Sequence, residues 1–289
     1  LIAGDLFHRQ PLKKELKELN YLFSRLTRTK VVFIAGNHDF IKHDSYYLTF
    51  RWNENVYPLL NGHMGSVEFK ELKTSVYGLS YYQREITERL YDRAKAPGRQ
   101  KYEILLAHGG DEKHIPIKKE ILSNLGYSYI AMGHIHKPQT LVENQIAYAG
   151  ALEPIDKNDT GKHGYIRGEV TEKGVKAELI PSAKREYMHL SVEVGKNMTN
   201  GFAREKIREM IQINGIENIY KFILTGFRDA DITFEPETKP SYDFDKLLEE
   251  NKGNLLGRYI ESLRECEDGS VAHMALYEGV QALLDTKRS

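Results

Sequence analysis

Four short segments of the chain place metal-ligand residue types directly after an apolar stretch. They are Gly4-Asp5-Leu6-Phe7-His8, Gly36-Asn37-His38-Asp39, His108-Gly109-Gly110 and Gly133-His134-Ile135-His136. Oxygen and imidazole donors without sulfur suit Mn²⁺, Fe²⁺ or Zn²⁺ better than Ca²⁺ or Mg²⁺. Two such ions about 3.5–4 Å apart can activate a water molecule and stabilise both oxygens of a phosphoryl displacement. The segments therefore predict a divalent-metal site, with Asp5 as the carboxylate that would bridge two ions.

Each segment taken alone also has an ordinary structural explanation. Gly-Asp is a common turn, His108-Gly109 is a common strand end, and Gly-His-Ile-His could be a pair of surface histidines. The segment Gly36-Asn37-His38-Asp39 is more specific, because Asn, His and Asp seldom follow a buried strand together without a role. All four segments occur in one chain, each after a predicted strand, and that combination argues against coincidence.

Short apolar strands that alternate with helices would carry these segments. Strands rich in β-branched or aromatic residues are predicted at Lys30–Gly36, Ser75–Tyr82, Tyr102–His108, Tyr127–His134 and Gln145–Leu152. Helices are predicted at Pro11–Leu26, Arg84–Lys95 and Ile117–Leu125. The alternation predicts an α/β fold with a largely buried sheet. Ligands bind at the carboxyl ends of the strands in such a sheet, so the four segments should meet there.

The pattern changes in the second half of the chain. Gly164–Pro181 predicts a β-hairpin, and a β-α-β unit follows with strands at Met188–Val194 and Lys221–Phe227 around a helix at Ala203–Ile213. This unit could stand as a small second domain.

A helical region is expected to end the chain. Two prolines mark a linker over residues 235–242, and Phe244–Thr286 should form helices with breaks near Gly253 and over residues 267–269.

Length and composition bound the class of protein. The chain has 289 residues, of which 40% are hydrophobic and 28% charged, as in a globular protein of about two domains. No apolar run approaches the roughly 18 residues that a membrane-spanning helix needs, so we expect no membrane partner. The single cysteine, Cys266, excludes an internal disulfide and fits a cytoplasmic location. The 41 basic and 41 acidic residues cancel, so net charge alone does not indicate a nucleic-acid-binding protein.

The motifs resemble those of the calcineurin-like metallophosphoesterases. More narrowly, Gly4-Asp5-Leu6-Phe7-His8 and Gly133-His134-Ile135-His136-Lys137-Pro138 are similar to the SbcD-type nuclease branch, which acts in DNA double-strand-break repair with an SbcC-type ATPase. Protein phosphatases of the superfamily instead carry an Arg-Gly-Asn-His-Glu pattern. Here Ala35 precedes Gly36 and Asp39 stands at the acidic position, which argues against that branch.

The resemblance covers about residues 1–180 and implies the architecture. The fold would be a four-layer α-β-β-α sandwich, followed by a small α/β cap domain and C-terminal helices. We accordingly divide the chain into a calcineurin-like nuclease domain at 1–183, a β-α-β cap domain at 184–238 and a helical segment at 239–289.

The resemblance also implies a role for each site residue. Asp5 would bridge two metal ions, with Asn37, His108 and His134 on one ion and His136 on the other. His38 would be the catalytic histidine near the scissile phosphate, Asp39 would orient and charge it, and His8 would position DNA for exonuclease action. An exposed turn residue is the alternative explanation for His8.

One family motif has no counterpart in this sequence. An Asp-x-His strand should precede Asp5 by some tens of residues, but the chain begins at Leu1, inside a predicted strand. Strands normally run about 5–6 residues, so we expect an upstream segment that carries the motif. If the motif is instead lost, only Asp5 and His136 remain for the second ion. We would then expect one well-bound ion and little nuclease activity.

The function expected from the resemblance is a Mn²⁺-dependent DNA exonuclease and endonuclease that works with an SbcC-like ATPase, with a homodimer expected by analogy. Two alternatives stay open: a phosphodiesterase or phosphomonoesterase acting on nucleotides, and a weakly active scaffold or DNA-binding module.

Two surfaces would bind the expected partners. Basic side chains near strand ends would contact DNA phosphates, namely Lys42, His43, Arg51, Arg84, Lys113, His114, Lys137 and Lys157. The C-terminal helices would either dock the ATPase or pack against the body of the protein. Their apolar positions are Leu247, Leu248, Leu255, Leu256, Ile260 and Leu263.

Overall fold

The computed structural model describes residues 1–195, 198–226, 242–266 and 270–286. The chain divides into two compact units, one of residues 1–195 and 202–227 and the other of residues 196–201 and 228–289. The mixture of strands and helices confirms the predicted α/β class. Most of the linker expected over 235–242 and the helix break expected over 267–269 lie outside the described residues.

A three-stranded parallel sheet carries the first two motifs. Its strands are β1 (Ile2–Ala3), β2 (Val31–Ile34) and β3 (Val56–Pro58), in that spatial order. Every residue of β2 is buried, as expected for a strand covered on both faces. Asp5 and Asn37 therefore leave this sheet at the same end.

A six-stranded sheet carries the other two motifs. Its strands are β4 (Gly65–Phe69), β5 (Thr74–Gly78), β6 (Tyr102–His108), β7 (Tyr129–Gly133), β8 (Gln139–Val142) and β9 (Ile146–Tyr148). Their spatial order is β4-β5-β6-β7-β9-β8, and β5, β6, β7 and β9 run parallel. The edge strands β4 and β8 are antiparallel to their neighbours. His108 ends β6 and His134 follows β7, so both histidines lie at one edge of the sheet.

The two sheets share a hydrophobic core. Val32 and Ile34 of β2 pack with Val76 of β5 and Leu106 of β6, and all four side chains are buried. Strand β1 also contacts β6 and β7. This packing brings the ends of β1 and β2 next to the ends of β6 and β7.

The remaining elements of the first unit include both predicted supersecondary structures. The helices are α1 (Lys13–Ser24), α2 (Tyr46–Thr49), α3 (Lys119–Ser123) and α4 (Asn200–Asn214). The predicted hairpin is confirmed as β10 (Gly164–Thr171) and β11 (Gly174–Pro181). The predicted β-α-β unit is confirmed as β12 (Tyr187–Val194), α4 and β13 (Ile219–Gly226), with its strands paired in parallel.

The helix predicted at Arg84–Lys95 is wrong. This segment is irregular, and the backbone of Ile86 instead pairs with the loop that follows β6: its N–H donates to Lys113 O over 2.8 Å, and its carbonyl accepts from Ile115 N–H over 2.6 Å. Ile86 and Tyr91 are both buried in the core of the six-stranded sheet. The spacing of the apolar residues suits a helix, but an irregular segment that pairs with this loop at Ile86 buries them instead.

The second unit contains three described helices. They are α5 (Phe244–Glu250), α6 (Leu255–Leu263) and α7 (Val271–Thr286), and the predicted break near Gly253 is confirmed. Leu256 and Ile260 are buried with Leu276 and Val280 in a core of this unit, and Leu247, Leu248 and Leu263 pack against it. Five of the six apolar positions expected to dock a partner are thus in or against this core. The sixth, Leu255, is 69% exposed. None of the described helices is both long and apolar enough to cross a membrane.

Glu103 is a buried carboxylate that stabilises β6, the strand that ends in His108. Its oxygens accept hydrogen bonds from Gly98 N–H over 2.8 Å, from Arg99 N–H over 2.7 Å and from the Tyr77 hydroxyl over 2.8 Å. Burial raises the pKa of Glu103, but these hydrogen bonds outweigh burial and lower it overall.

Replacing Glu103 with glutamine should lower the free energy of unfolding at neutral pH by about 1–3 kcal/mol, because the amide would face an N–H donor. The folded pKa lies below the ordinary value of 4.5, so this stabilisation is complete above that pH and is lost as the pH falls through the folded pKa. Urea denaturation should therefore show a difference between wild type and variant that narrows at acidic pH. Glu54→Gln, at an exposed position, is the control; equal stability of Glu103→Gln and wild type at neutral pH would contradict the assignment.

Candidate metal centre

A tight turn after β1 places the Asp5 carboxylate. Gly4 has a φ of +90° and Asp5 a φ of +50°, so the chain reverses within two residues. The carboxylate then lies directly against Gly36, where an added Cβ would come within 2.2 Å of Asp5 Oδ1. Glycine at position 36 is therefore required for the first two motifs to meet.

Four side chains converge at the facing ends of the two sheets. Asn37 Oδ1 lies 2.9 Å from His108 Nε2 and 3.0 Å from His134 Nδ1. Asp5 Oδ2 lies 3.2 Å from the same His108 Nε2. The structure thus brings together Asp5, Asn37, His108 and His134, the four residues that we expected to hold one ion.

The hydrogen bonds on the outer side of each imidazole determine which atoms face this cluster. His108 Nδ1 is 2.7 Å from the Ala3 carbonyl oxygen, and His134 Nε2 is 2.6 Å from Asp111 Oδ2. Both oxygens are acceptors, so both outer nitrogens carry hydrogen. The inner nitrogens, His108 Nε2 and His134 Nδ1, also face oxygens, but over the longer distances of 2.9 and 3.0 Å. A neutral imidazole carries one hydrogen, so with that hydrogen on the outer nitrogen the inner lone pair of each ring would be available to a cation.

This donor set fits a divalent cation. In these tautomers two imidazole nitrogens, one amide oxygen and one carboxylate oxygen would offer lone pairs to a common space. Outer-shell hydrogen bonds of this kind are the usual way in which proteins orient metal-binding histidines. Such nitrogen and oxygen donors suit Mn²⁺, Fe²⁺ or Zn²⁺.

The electrostatics of the cluster favour the forms that bind a metal. Burial raises the pKa of Asp5, but hydrogen bonds and charge interactions with His108 and His38 outweigh it, so the pKa of Asp5 is lowered. Burial lowers the pKa of His134, and the hydrogen bond to Asp111 only partly opposes this. The carboxylate is thus held ionised, and the His134 ring is biased toward its neutral form.

The backbone at His134 is strained. His134 has a φ of +96°, which is rare for a residue with a side chain, and it follows a glycine that β1 contacts closely. A Cβ at Gly133 would lie 1.9 Å from the Ala3 carbonyl oxygen. Strain of this kind persists where surrounding packing enforces it, and it is concentrated at functional sites.

His38 lies beside the cluster and faces the same cleft. Its backbone N–H donates to Asp5 Oδ1 over 2.9 Å, and its ring stacks on the exposed His8 ring with a centroid separation of 4.4 Å. Burial lowers the pKa of His38, the Asp5 carboxylate opposes this effect, and His8 and Arg84 add to it. The hydrogen bond to Asp5 is made by the backbone of His38 and not by its ring.

Asp39 supports the loop rather than the His38 ring that we expected it to orient. Its carboxylate accepts hydrogen bonds from Gly36 N–H over 2.8 Å and from the Tyr47 hydroxyl over 2.7 Å. A third, longer hydrogen bond comes from Phe7 N–H over 3.3 Å. Asp39 is fully buried, and it ties the turn that carries Asn37 to the segment after Asp5.

His136 lies on the same cleft but outside the four-residue cluster. Its Nδ1 is 3.6 Å from Asp159 Oδ2. Asp159 is itself fixed by hydrogen bonds from the backbone N–H groups of Ile155 and Asp156. His136 is the donor expected for a second ion, and the Asp159 carboxylate lies near its Nδ1.

The cleft around these residues has a volume of about 640 Å³. Its lining consists of Asp5, Asn37, His38, Arg84, Glu85, Lys113, His114, His134, Ile135, His136, Lys137 and Asp159. Four of the eight basic side chains expected to contact DNA are in this lining: Arg84, Lys113, His114 and Lys137. Lys42, His43, Arg51 and Lys157, although they are among the described residues, are not in it.

Three polar residues near the centre were not predicted from the sequence. Asp111 contacts His134, Asp159 faces His136, and the Tyr91 hydroxyl accepts a hydrogen bond from His108 N–H over 2.9 Å. Asp111 follows His108 by only three positions, and an acidic residue so close to a ligand motif was the available signal. Tyr91 gave no such signal, because it fell inside the helix that was predicted wrongly.

The fold and the cluster agree with a match to a known family. Residues 1–138, just under half of the chain, match the family described as Calcineurin-like phosphoesterase. Enzymes of this family use divalent metal ions and act on phosphoester bonds.

Two curated proteins are similar to the chain. The uncharacterized metallophosphoesterase YhaO of Bacillus subtilis is 29% identical over an alignment of 285 positions, which covers 92% of this chain and 65% of YhaO. The DNA double-strand break repair protein Mre11 of Methanocaldococcus jannaschii is 27% identical over an alignment of 176 positions, which covers 55% of this chain and 46% of Mre11. The chain therefore spans less than two thirds of the length of either relative.

Proposed function

We propose that the protein is a metal-dependent DNA nuclease of the SbcD-type branch, with exonuclease and endonuclease activity and with Mn²⁺ as its preferred ion. The observation that carries this proposal is the convergence of four lone-pair donors, from Asp5, Asn37, His108 and His134, beside the His38 ring. The similarity to Mre11, a DNA double-strand break repair protein, supports DNA as the substrate.

In this proposal the four converging residues hold one divalent ion, and His136 contributes to a second. When bound, such ions supply Lewis-acid activation of a phosphoester. The Asp5 carboxylate offers Oδ2 to the cluster, while Oδ1 accepts the His38 N–H and so keeps the carboxylate oriented. Asp39 keeps the turn before His38 in place through its hydrogen bonds to Gly36 N–H and Tyr47.

In this proposal the His38 ring is the group that acts on the substrate. It lines the cleft next to Asp5, and an imidazole in that position can donate a proton to the leaving oxygen or stabilise developing negative charge. His8 stacks on it from the solvent side and would contact the DNA strand as it enters.

The cleft also carries the charges that a polyanion requires. Arg84, Lys113 and Lys137 lie on its lining with His114, where they would contact phosphates without reading the base sequence. Two further parts of the proposal concern assembly: an SbcC-like ATPase as the partner of the C-terminal helices, and a homodimer.

A phosphodiesterase or phosphomonoesterase acting on free nucleotides is the second candidate. The cleft volume of about 640 Å³ falls within the range of roughly 300–1,000 Å³ that is typical of small-molecule sites. A nucleotide could therefore occupy the cleft by itself.

Hydrolysis assays with purified protein and Mn²⁺ would separate these functions. The nuclease proposal expects cleavage of linear duplex DNA and of bis-p-nitrophenyl phosphate, both abolished by EDTA and restored by added Mn²⁺. Hydrolysis of nucleotides with intact DNA would favour the second candidate. Mn²⁺ binding without hydrolysis of any of these substrates would favour a binding module.

His8→Ala should reduce exonuclease activity more than endonuclease activity, because His8 is exposed beside His38 and would guide a DNA end rather than bind the metal. The measurement compares degradation of linear duplex DNA with nicking of circular DNA by the same preparation. Equal losses on the two substrates would remove the positioning role. His63→Ala, at another exposed histidine, should change neither activity.

A further inference from the structure

We propose that Asp111 is a positioning residue that fixes the tautomer of His134 and so turns His134 Nδ1 into a metal ligand. This inference rests on the proposed metal centre and assigns a role to a residue outside its four donors. The contact that carries it joins Asp111 Oδ2 to His134 Nε2 over 2.6 Å.

The Asp111 carboxylate is held in place from its other side. Its Oδ1 accepts hydrogen bonds from the backbone N–H groups of Lys113 over 2.8 Å and His114 over 3.0 Å. The His114 ring adds a contact from Nδ1 to both carboxylate oxygens, over 2.8 and 2.9 Å. Although Asp111 is partly exposed, its orientation toward His134 is thus set by the turn that contains it.

Tautomer choice decides whether His134 can bind an ion at all. Both ring nitrogens of His134 face an acceptor, and the Asp111 carboxylate over 2.6 Å is charged and closer than the neutral Asn37 amide oxygen over 3.0 Å. The carboxylate therefore holds the single hydrogen of a neutral His134 ring on Nε2. The lone pair is then on Nδ1, which lies 3.0 Å from Asn37 Oδ1 inside the cluster. The opposite tautomer would place an N–H in the space that the ion needs.

His134 belongs to two groups of side chains that could each hold a metal ion. One group is Asp5, His108 and His134, and the other is Asp111, His114 and His134. A neutral imidazole offers one lone pair, so it can serve only one of them. The first group includes the fully buried His108, and Asn37 adds a further donor to it. In the second group, Asp111 and His114 already form a hydrogen bond with each other. The geometry therefore assigns the ion to the first group and the supporting role to Asp111.

Asp111→Asn is the sharpest test, because asparagine can keep the Oδ1 contacts with the turn while an NH₂ group replaces Oδ2. That amide would donate to His134 Nε2 and favour hydrogen on Nδ1. We expect Mn²⁺ affinity, measured by calorimetry on the full chain, to fall by about 10–100-fold. Glu112→Gln removes the neighbouring exposed charge and should leave the affinity unchanged.

The second readout is the ¹⁵N spectrum of the histidine rings in the metal-free protein. Wild type should show His134 with hydrogen on Nε2, and Asp111→Asn should shift it toward hydrogen on Nδ1. A wild-type spectrum with hydrogen on Nδ1 would overturn the inference even if the variant failed to fold.

The outcomes separate this inference from the function on which it rests. A wild-type protein that binds no Mn²⁺ would overturn the metal centre, and the ¹⁵N spectrum would still decide how Asp111 acts on His134. Normal Mn²⁺ affinity in Asp111→Asn would overturn the role of Asp111 alone. Loss of one separate Mn²⁺ equivalent, with the remaining affinity intact, would also overturn it, because Asp111 would then be a ligand itself.

Discussion

Replacing Asp5 with asparagine should lower the affinity for Mn²⁺ by about 100-fold or more. Outer-shell partners of metal ligands already contribute about 10–100-fold, and Asp5 is the only carboxylate among the four converging donors. The change keeps the size of the side chain but removes the charge that attracts the cation. The Mn²⁺ affinity, measured by calorimetric titration with MnCl₂, and the rate of bis-p-nitrophenyl phosphate hydrolysis should both decrease.

The control for this change is Asp44→Asn, which removes an exposed carboxylate away from the cleft lining. Wild-type affinity is expected for that protein. If Asp5→Asn also bound Mn²⁺ as wild type does, the ion would have to bind elsewhere, and the proposed centre would be wrong.

Replacing His38 with alanine should lower the rate of phosphoester hydrolysis by about 10²–10⁴-fold while Mn²⁺ affinity stays the same. Alanine retains the backbone N–H that donates to Asp5 Oδ1, so the carboxylate keeps its orientation. What is lost is the ring that lines the cleft beside Asp5. The contrast between an intact metal site and slow hydrolysis distinguishes a catalytic residue from a ligand.

Calorimetry and steady-state hydrolysis of bis-p-nitrophenyl phosphate on the same preparations would check this. A His38→Ala protein that retained most of its activity would remove His38 from the mechanism. Parallel loss of Mn²⁺ affinity and activity would instead make His38 part of the ion-binding cluster. His63→Ala, which changes an exposed histidine elsewhere, should match wild type in both measurements.

The sequence predicted the central strands well because their apolar residues are buried on both faces. In β2 all four residues are buried, and in β6 the last four are. The edge strands β4 and β8 were missed, since nearly all of their residues are partly or fully exposed and the strands therefore lack a continuous apolar run. The helix predicted at Arg84–Lys95 failed for a related reason: burial of Ile86 and Tyr91 depends on a distant loop, which local spacing does not reveal.

The proposed ligand residues could be predicted from the sequence, but Asp111, which supports one of them, could not. Asp5, Asn37, His108 and His134 stand at strand ends, so their meeting follows from the parallel sheets. Asp111 reaches His134 only because Gly109 and Gly110 adopt φ values of +134° and +135°. Those angles bend the loop back on itself, and an added Cβ at Gly109 would lie 2.2 Å from the His114 carbonyl oxygen. Glycine permits such a path but does not specify it, so the sequence alone did not predict this contact.

Because the four proposed donors are divided between two sheets, binding of an ion would stabilise the packing of the two sheets against each other. Asp5 and Asn37 leave the three-stranded sheet, whereas His108 and His134 leave the six-stranded one. A cation held by all four would act as a cross-link between the layers, and any ligand that binds only the native state raises its melting temperature. Thermal shift with a panel of divalent salts would therefore rank the metals that the protein accepts, before any substrate is known.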